Sequence, residues 1–393
     1  MKKHLVPLII LLFLLASCEK EEQEIAERGY VIATKQIRIY STEEIKANLV
    51  SRKFELPFTL EHEVKAVKIA YMTPDPYGKL VNATGAVFIP ETTGEFPIIC
   101  FQHGTQTQRH LVPSLGAGNS DAGLAGSVAA SMGYICVAAD YLGLGESYIV
   151  PPYLLAENSA TTVIDMLRAS KKYFSEQGVQ TDGSLYLTGY SQGGYVTMAT
   201  HHEIEKNYSD EFTVTASAPM AGPYDLSGIF DTILTWETYK QPILMAFLMN
   251  SYHTYYDWNR LSEVFHEPYA GNIPDFFDGS QMMSTINLGL PQTLDSLLLE
   301  SFINDYTSGK EEELRQAVQD NSLLTYVPAA PVRLIHGDAD KTVPYFNSIA
   351  ARDYYENGGK TNIELITVPG DHEGAAEAAI VGAMQWIESL RNK

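Results

Sequence analysis

The chain has 393 residues, 45% of them hydrophobic, and a formal net charge of −21. That composition is ample for a packed core, and so acidic a surface repels phosphate backbones, which excludes nucleic acid as a partner. Of the three cysteines, Cys100 and Cys136 lie in apolar strand-like runs, no CxxC or zinc-type spacing occurs, and buried free thiols are expected because a bridge across neighbouring strands would be strained.

The chain opens in the pattern of an export signal. Lys2 and Lys3 precede the apolar run Leu5 to Leu15, which is too short to span a bilayer comfortably, and Leu15-Ala16-Ser17-Cys18 follows. Small residues before a cysteine resemble a bacterial lipobox, so residues 1–17 are expected to form a lipoprotein signal and Cys18 to be lipidated. The alternative is a plain secretory signal. Cys18-Glu19-Lys20-Glu21-Glu22 starts a charged tether with no Asp after the cysteine. Its acidic run resembles the surface-export tag of some Gram-negative lipoproteins. The expected location is the outer membrane, with the lipid as the sole anchor.

Residues 18–60 are expected to be a tether and N-terminal extension, with a short helix opened by the capping-box pattern Ser41-Thr42-Glu43-Glu44. Val64 to Tyr71 and Ala83 to Ile89 read as paired strands. Ile98 to Phe101, Tyr134 to Ala139, Leu185 to Thr188, Val214 to Pro219, Val332 to Ile335 and Ile363 to Val368 complete the predicted strand set. Ile98 to Phe101 and Tyr134 to Ala139 are short continuous apolar runs, which suit strands buried on both faces, and Leu185 to Thr188 reads as another buried strand. Helices are predicted over Asp121 to Met132, Tyr153 to Phe174, Gln192 to about Lys206 and Glu373 to Leu390. This alternation predicts a mostly parallel twisted sheet with helices on both faces.

One segment breaks the rhythm. Residues 226–326 carry helical patterns and many aromatics, among them Trp236, Tyr239, Phe247, Tyr252, Tyr255, Tyr256, Trp258, Phe276 and Phe277. The segment lies between two predicted strands, so it is expected to be a cap insertion at the C-terminal edge of the sheet, where open α/β folds bind ligands. It divides the main domain into residues 61–225 and 327–393.

Gly189-Tyr190-Ser191-Gln192-Gly193 is a G-x-S-x-G motif between a predicted strand and a predicted helix. A nucleophile elbow needs that context: glycines permit the tight turn, and the helix N-terminus favours negative charge. Ser191 is the candidate nucleophile. The acid and the histidine should follow it in that order. His336-Gly337-Asp338-Ala339-Asp340 leaves the Val332 to Ile335 strand, and beyond Asp340 the chain contains a single histidine, His372. His372 is therefore the candidate base by elimination. Asp340 is the preferred acid, with Asp338 and Asp225 as alternatives, and Asp371 is too close in sequence to reach the ring. His201 and His202 read as packing or surface residues, His253 and His266 have no implied partner, and His336 reads as ordering its own loop. The oxyanion donors are expected to be the backbone N–H of Gln192 and, from His103-Gly104-Thr105-Gln106, that of Thr105, with Gly104 letting the backbone approach the substrate. Tyr190, Trp236, Tyr255, Tyr256 and Trp258 are the candidate substrate-binding residues. Half of the cap aromatics could equally form a small core of their own.

At these residues the sequence resembles the secretory lipase group of α/β-hydrolases. Ala70-Tyr71-Met72-Thr73-Pro74-Asp75 and Ala83 to Pro90 match its opening hairpin, and His103-Gly104-Thr105 its oxyanion loop. Asp140-Tyr141-Leu142-Gly143-Leu144-Gly145 and Pro152-Tyr153, running into Val163-Ile164-Asp165-Met166-Leu167-Arg168, are the most distinctive match. The resemblance fades over residues 226–326. It implies the α/β-hydrolase fold and carboxylic-ester hydrolysis, without cofactor or metal, by Ser191, Asp340 and His372. The expected partner is a small-molecule, lipid or glycan ester met by a monomer. Gly193-Gly194-Tyr195 also resembles prolyl-oligopeptidase-type peptidases, whose β-propeller has no room here. A peptidase, an esterase acting on acylated polysaccharide, and a surface binding protein without catalysis are the rival readings.

Overall fold

The computed structural model describes residues 27–116 and 120–391. Cys18, the signal and the first part of the tether lie outside the described residues. The chain enters through β1 (Val31–Tyr40), α1 (Thr42–Ser51) and the antiparallel pair β2 (Val64–Pro74) and β3 (Leu80–Pro90). There follow β4 (Glu95–Gln102), α2 (Pro113–Gly116), α3 (Asp121–Ser131), β5 (Ile135–Ala139), α4 (Ala156–Gln177), β6 (Gln180–Tyr190), α5 (Gln192–Asn207) and β7 (Ala216–Met220). A run of helices then intervenes: α6 (Leu226–Ile233), α7 (Pro242–Tyr255), α8 (Leu261–Val264), α9 (Tyr269–Phe276), α10 (Met283–Leu288), α11 (Leu294–Leu297), α12 (Glu300–Thr307) and α13 (Glu312–Asp320). The chain closes with β8 (Val332–Gly337), α14 (Phe346–Asn357), β9 (Ile363–Val368) and α15 (Ala376–Arg391).

The strands form one sheet in the order β1-β2-β3-β5-β4-β6-β7-β8-β9. The pairs β1–β2, β2–β3 and β3–β5 are antiparallel, and every pair from β5–β4 onward is parallel. Parallel neighbours need crossovers, which α3, α4, α5 and α14 supply. The order of the crossovers reverses at β4, whose neighbours are β5 and β6. Such a switch point opens a crevice at the C-terminal strand ends. Here Gln102 of β4 is in register with Gly189 of β6, so the two chains leave the sheet side by side, one into His103-Gly104 and the other into Tyr190-Ser191.

Two main cores flank the sheet. One joins α4, α5, the helical insertion and α14 through side chains such as Ile164, Tyr195, Phe247 and Tyr355, and the other joins α1, α3 and α15 to β3 through Ile45, Ala130, Ile387 and Phe88. Fully burying an aliphatic or aromatic side chain contributes about 1.5–3 kcal/mol, so these layers hold the strand ends in place. Ser41 caps α1, and its reciprocal bonds with Glu44 are both present. Cys100 and Cys136 are buried free thiols, and burial pushes the Cys136 thiol up to about 12.

Residues 18–60 contain more than the expected tether and extension. β1 pairs along β2 from Val31–Tyr71 to Tyr40–Val64. It is an edge strand whose side chains are mostly exposed, so it lacks the apolar stripe that marks a buried strand, and backbone pairing defines it. The motif at 163–168 has a structural cause as well. The fully buried Asp165 accepts from Arg168 Nη1 (2.7 Å), Thr73 Oγ1 (2.8 Å) and Arg28 Nε (3.2 Å), tying α4 to β2 and to the incoming chain.

Candidate active site

Ser191 stands between β6 and α5 with φ +60° and ψ −122°, a strained conformation for a residue with a side chain. The turn is possible because Gly193 packs directly on β4: a Cβ there would lie 2.0 Å from Gln102 O. The loop after β9 brings His372 above this elbow, with Nε2 2.8 Å from Ser191 Oγ. The loop after β8 brings Asp340 behind the ring, with Oδ2 2.6 Å from His372 Nδ1. A carboxylate only accepts, so Nδ1 carries the proton and Nε2 offers its lone pair to the serine hydroxyl.

Asp340 is held on both oxygens. Oδ1 accepts the N–H groups of Thr342 and Val343, each at 2.9 Å. Oδ2 accepts from His372 and also from His336 Nε2 at 3.1 Å. Burial alone pushes this carboxyl up, but the hydrogen bonds from His336 and His372 outweigh it and bring it down to about 2. His336, expected only to order its loop, therefore touches the same carboxylate as His372. The other candidate acids are engaged elsewhere. Asp225 caps α6 through Gly228 N–H (2.9 Å), Asp338 accepts from Gly370 N–H (3.1 Å), and Asp371 accepts from Gly374 N–H (2.9 Å).

Gln192 is the first residue of α5, where a backbone N–H has no partner within the helix. Gly104 lies opposite: a Cβ on it would come 4.0 Å from Ser191 Cβ. Thr105 follows, its hydroxyl 3.0 Å from the Tyr153 hydroxyl. The Asp140-Tyr141 motif braces this loop from behind. Tyr141 stacks on His103 at 4.0 Å and donates its hydroxyl to His103 O at 3.1 Å, while a His103 ring nitrogen meets Asp140 O at 3.0 Å. Asp140 is itself pinned by the N–H of Ser114 (3.0 Å) and the Thr84 hydroxyl (2.5 Å).

Beside Ser191 and Gln192 lies a cavity of about 50 Å³. Its walls are aliphatic side chains of α6 and α7, among them Ile229, Ile233 and Leu248, together with Tyr153, Tyr239 and Val343. The candidate substrate-binding residues Tyr190, Trp236, Tyr255, Tyr256 and Trp258 are not among them. Trp258 stacks on Tyr256 at 5.0 Å, and the Tyr256 hydroxyl accepts from Asn321 Nδ2 at 2.9 Å. Tyr255 donates to Val150 O and packs against Tyr77, and Trp236 packs on Tyr239. Tyr255 thus ties the insertion to the body of the protein, whereas these contacts of Trp236, Tyr256 and Trp258 lie within the insertion itself. Tyr190 points to the other side of the elbow, where its hydroxyl donates to His372 O at 2.5 Å. The lining residues did have a sequence signal. Leu226, Ile229, Phe230 and Ile233 repeat with helical spacing, but aromatic content outweighed that stripe. His201 and His202 are buried and hydrogen-bonded to Ser217 (2.8 Å) and Tyr355 (2.7 Å) respectively.

A switch-point sheet with a strained serine at the strand–helix turn, and a histidine and carboxylate arriving from later loops, defines an α/β-hydrolase. The model of the secretory lipase family matches residues 125–392, and the chain belongs to that family. A rice cell wall degrading esterase, LipA from Xanthomonas oryzae, superposes with a TM-score of 0.82 at 28% identity, over 91% of this chain and 97% of that one. Candida antarctica lipase A in its closed state shares the fold at a TM-score of 0.67 and 16% identity, over 93% of this chain and 82% of that one. Lipase 2 of Candida albicans is 23% identical over 270 residues, which cover 65% of this chain. The match spans 55% of that lipase.

Proposed function

We propose that the protein is a serine carboxylic-ester hydrolase acting through an acyl-enzyme on Ser191. The observation that carries this reading is the pair of hydrogen bonds joining Ser191, His372 and Asp340 at 2.8 and 2.6 Å. As Ser191 Oγ attacks the ester carbonyl, its proton passes to His372 Nε2. The imidazolium formed is stabilised by Asp340, which already holds Nδ1–H. The carbonyl oxygen becomes an oxyanion facing the N–H of Gln192 and the backbone at Gly104 and Thr105. His372 then protonates the leaving alcohol, the acyl group stays on Ser191, and water activated by the same base releases the acid. α6 and α7 act as a lid that excludes water from the small cavity.

A second reading is an esterase acting on plant cell wall material, favoured by the 28% identity to the Xanthomonas enzyme. In both readings the protein is exported. The Leu15-Ala16-Ser17-Cys18 pattern supports an outer-membrane lipoprotein anchored through Cys18, and among the described residues no helix is long and apolar enough to cross a membrane. The test of activity is a screen of acyl esters, acylated glycans and aminoacyl amides with wild type and Ser191→Ala. Turnover of amides alone would overturn the ester reading. The test of location is Cys18→Ser, expected to release active enzyme from the membrane fraction. Retention after a salt wash would overturn the lipid anchor.

A further inference from the structure

The oxyanion loop after β4 is held by two different parts of the fold. Its start belongs to the body of the protein, where Tyr141 stacks on His103 and donates to its carbonyl. Its continuation is bound by the insertion, at residues 278–281 between α9 and α10. Thr107 Oγ1 donates to Gln281 O at 2.7 Å, Arg109 N–H to Gly279 O at 2.9 Å, and Arg109 Nη2 to Asp278 O at 2.8 Å. Thr105, the expected oxyanion donor, lies between the two anchors. We propose that the insertion positions the donor at Thr105, and that Thr107, whose buried hydroxyl makes the link, is the positioning residue. The inference rests on the ester-hydrolase reading and gives the insertion a task beyond covering the cavity.

A second connection runs between the same two segments. Thr105 Oγ1 lies 3.0 Å from the Tyr153 hydroxyl. Tyr153 stacks on Phe247 of α7 with ring centroids 4.3 Å apart, and Phe247 stacks on Phe277, again at 4.3 Å. Phe277 directly precedes Asp278, so the stack ends where the bonds to Arg109 and Thr107 begin. Thr105 is thus reached from the insertion by two routes, through its own hydroxyl and through the chain two residues on. The three stacked rings are buried, and close-packed groups transmit displacement to one another. An oxyanion donor works only when it is held about 2.7–3.1 Å from the developing charge. Residues 103–107 belong to no helix or strand, so no backbone ladder fixes them, and these contacts supply the fixing instead. Thr107 is only 2% exposed, so its hydroxyl cannot trade Gln281 O for water without loosening the loop. Gly279 adopts φ +90°, a conformation open to glycine, and a Cβ on it would lie 2.8 Å from Arg109 Nη2.

The test uses the full-length protein, p-nitrophenyl butyrate as substrate, and two inhibitors of one carbon skeleton, hexyl trifluoromethyl ketone and the alcohol made by reducing it. Ser191 Oγ bonds to the ketone carbon, the serine proton moves to His372, and the ketone oxygen becomes an anion in the oxyanion site. The alcohol binds without forming that anion. Thr107→Val keeps the side-chain shape and removes the hydroxyl, Thr107→Ser keeps the hydroxyl, and Gly279→Ala disturbs the contact from the insertion side. Thermal melting checks folding, and if Thr107→Val melts early, Gly279→Ala carries the test by the same readouts. Thr107→Val and Gly279→Ala are expected to lower kcat by about tenfold with KM little changed, against about 10²–10³-fold for loss of a whole oxyanion donor. Ki for the ketone should rise by the same factor while Ki for the alcohol stays put, and Thr107→Ser should behave as wild type. Wild-type kcat and ketone affinity in Thr107→Val would overturn the inference and leave the ester reading standing. Equal weakening of ketone and alcohol, or equal loss in Thr107→Ser and Thr107→Val, would also overturn it, since each marks a general packing role. A wild-type protein that turns over no ester and binds no ketone would overturn the ester reading, and the inference with it.

Discussion

His336 Nε2 lies 3.1 Å from Asp340 Oδ2, the same oxygen that meets His372 Nδ1 at 2.6 Å. The tautomer of His336 follows from its neighbours. Nε2 faces two acceptors, Asp340 Oδ2 and Val343 O (2.9 Å), so it carries the proton, and Nδ1 accepts from Ser348 Oγ–H at 2.7 Å. The carboxylate behind His372 is thus fixed by a second, fully buried imidazole. His336→Asn is expected to lower kcat by about tenfold, the worth of one hydrogen bond to a charged group, with KM little changed. Asp340→Asn is expected to lower kcat by about 10⁴-fold, because His372 loses its orienting acceptor, while Asp338→Asn stays near wild type. Steady-state kinetics on the three variants decide this, and a reversed order of the two Asp variants would make Asp338 the acid.

Ser191→Ala is expected to lower kcat on the order of 10⁶-fold with little change in melting temperature, since alanine keeps the Cβ that is strained at φ +60°. A fluorophosphonate probe should label Ser191 and nothing else. Intact-protein mass spectrometry reads the adduct, and labelling of the alanine variant would sink the assignment.

Gly193→Ala probes the elbow without touching the reacting groups. Its Cβ would meet Gln102 O at 2.0 Å, and both atoms belong to backbone that is locked into the sheet and α5. Overpacking of this kind costs about 1–3 kcal/mol. The expected outcome is a lower melting temperature together with slower fluorophosphonate labelling. Normal labelling would mean that the strand–helix contact relaxes without moving Ser191.

His202 makes stability pH-dependent. Burial, with the neighbouring His201 adding to it, holds its imidazole down to about 3 in the folded protein, against about 6.5 when unfolded. The unfolded chain therefore binds a proton that the native state refuses. The stabilisation is complete above pH about 6.5 and falls toward pH about 3, by about 1.4 kcal/mol per pH unit for one proton. His202→Gln keeps a polar partner for Tyr355 and is expected to flatten that slope. Denaturant unfolding between pH 7 and 4 measures it, and an unchanged slope would assign the acid sensitivity to other groups.

The aromatic cluster and the aliphatic stripe of the insertion should respond differently. Trp258→Ala is expected to cost about 2 kcal/mol, less than the about 3–5 kcal/mol of a fully buried tryptophan, and to leave ester preference alone. Ile229→Phe, which narrows the cavity beside Ser191, is expected to change ester preference with little loss of stability. Melting curves and ester profiles on the same preparations separate the two. A changed profile in Trp258→Ala would return the aromatics to the substrate site.

The chain by itself determined the elements whose signal is local. β4, β5, β7 and β8 are short runs buried for the most part between helices, β9 is a half-exposed edge strand marked by its β-branched and aliphatic residues, and the Ser41–Glu44 cap and the Gly189 to Gly193 turn are readable because their backbone geometry demands particular residues at fixed offsets. His372 was legible because the order of the chain left no other histidine after Asp340. β1 was not legible, because an exposed edge strand is made by pairing with β2 and not by its own side chains. The lining of the cavity beside Ser191 was decided by packing. Residue type marked Trp236, Tyr255, Tyr256 and Trp258 as binding candidates, but which face of α6 and α7 meets Ser191 depends on how the insertion lies on the sheet. The sharing of Asp340 between His336 and His372, and the bond from Thr107 to Gln281, arise only where distant loops meet, because hydrogen-bond partners and cavity walls are set by distances that no single segment of sequence encodes.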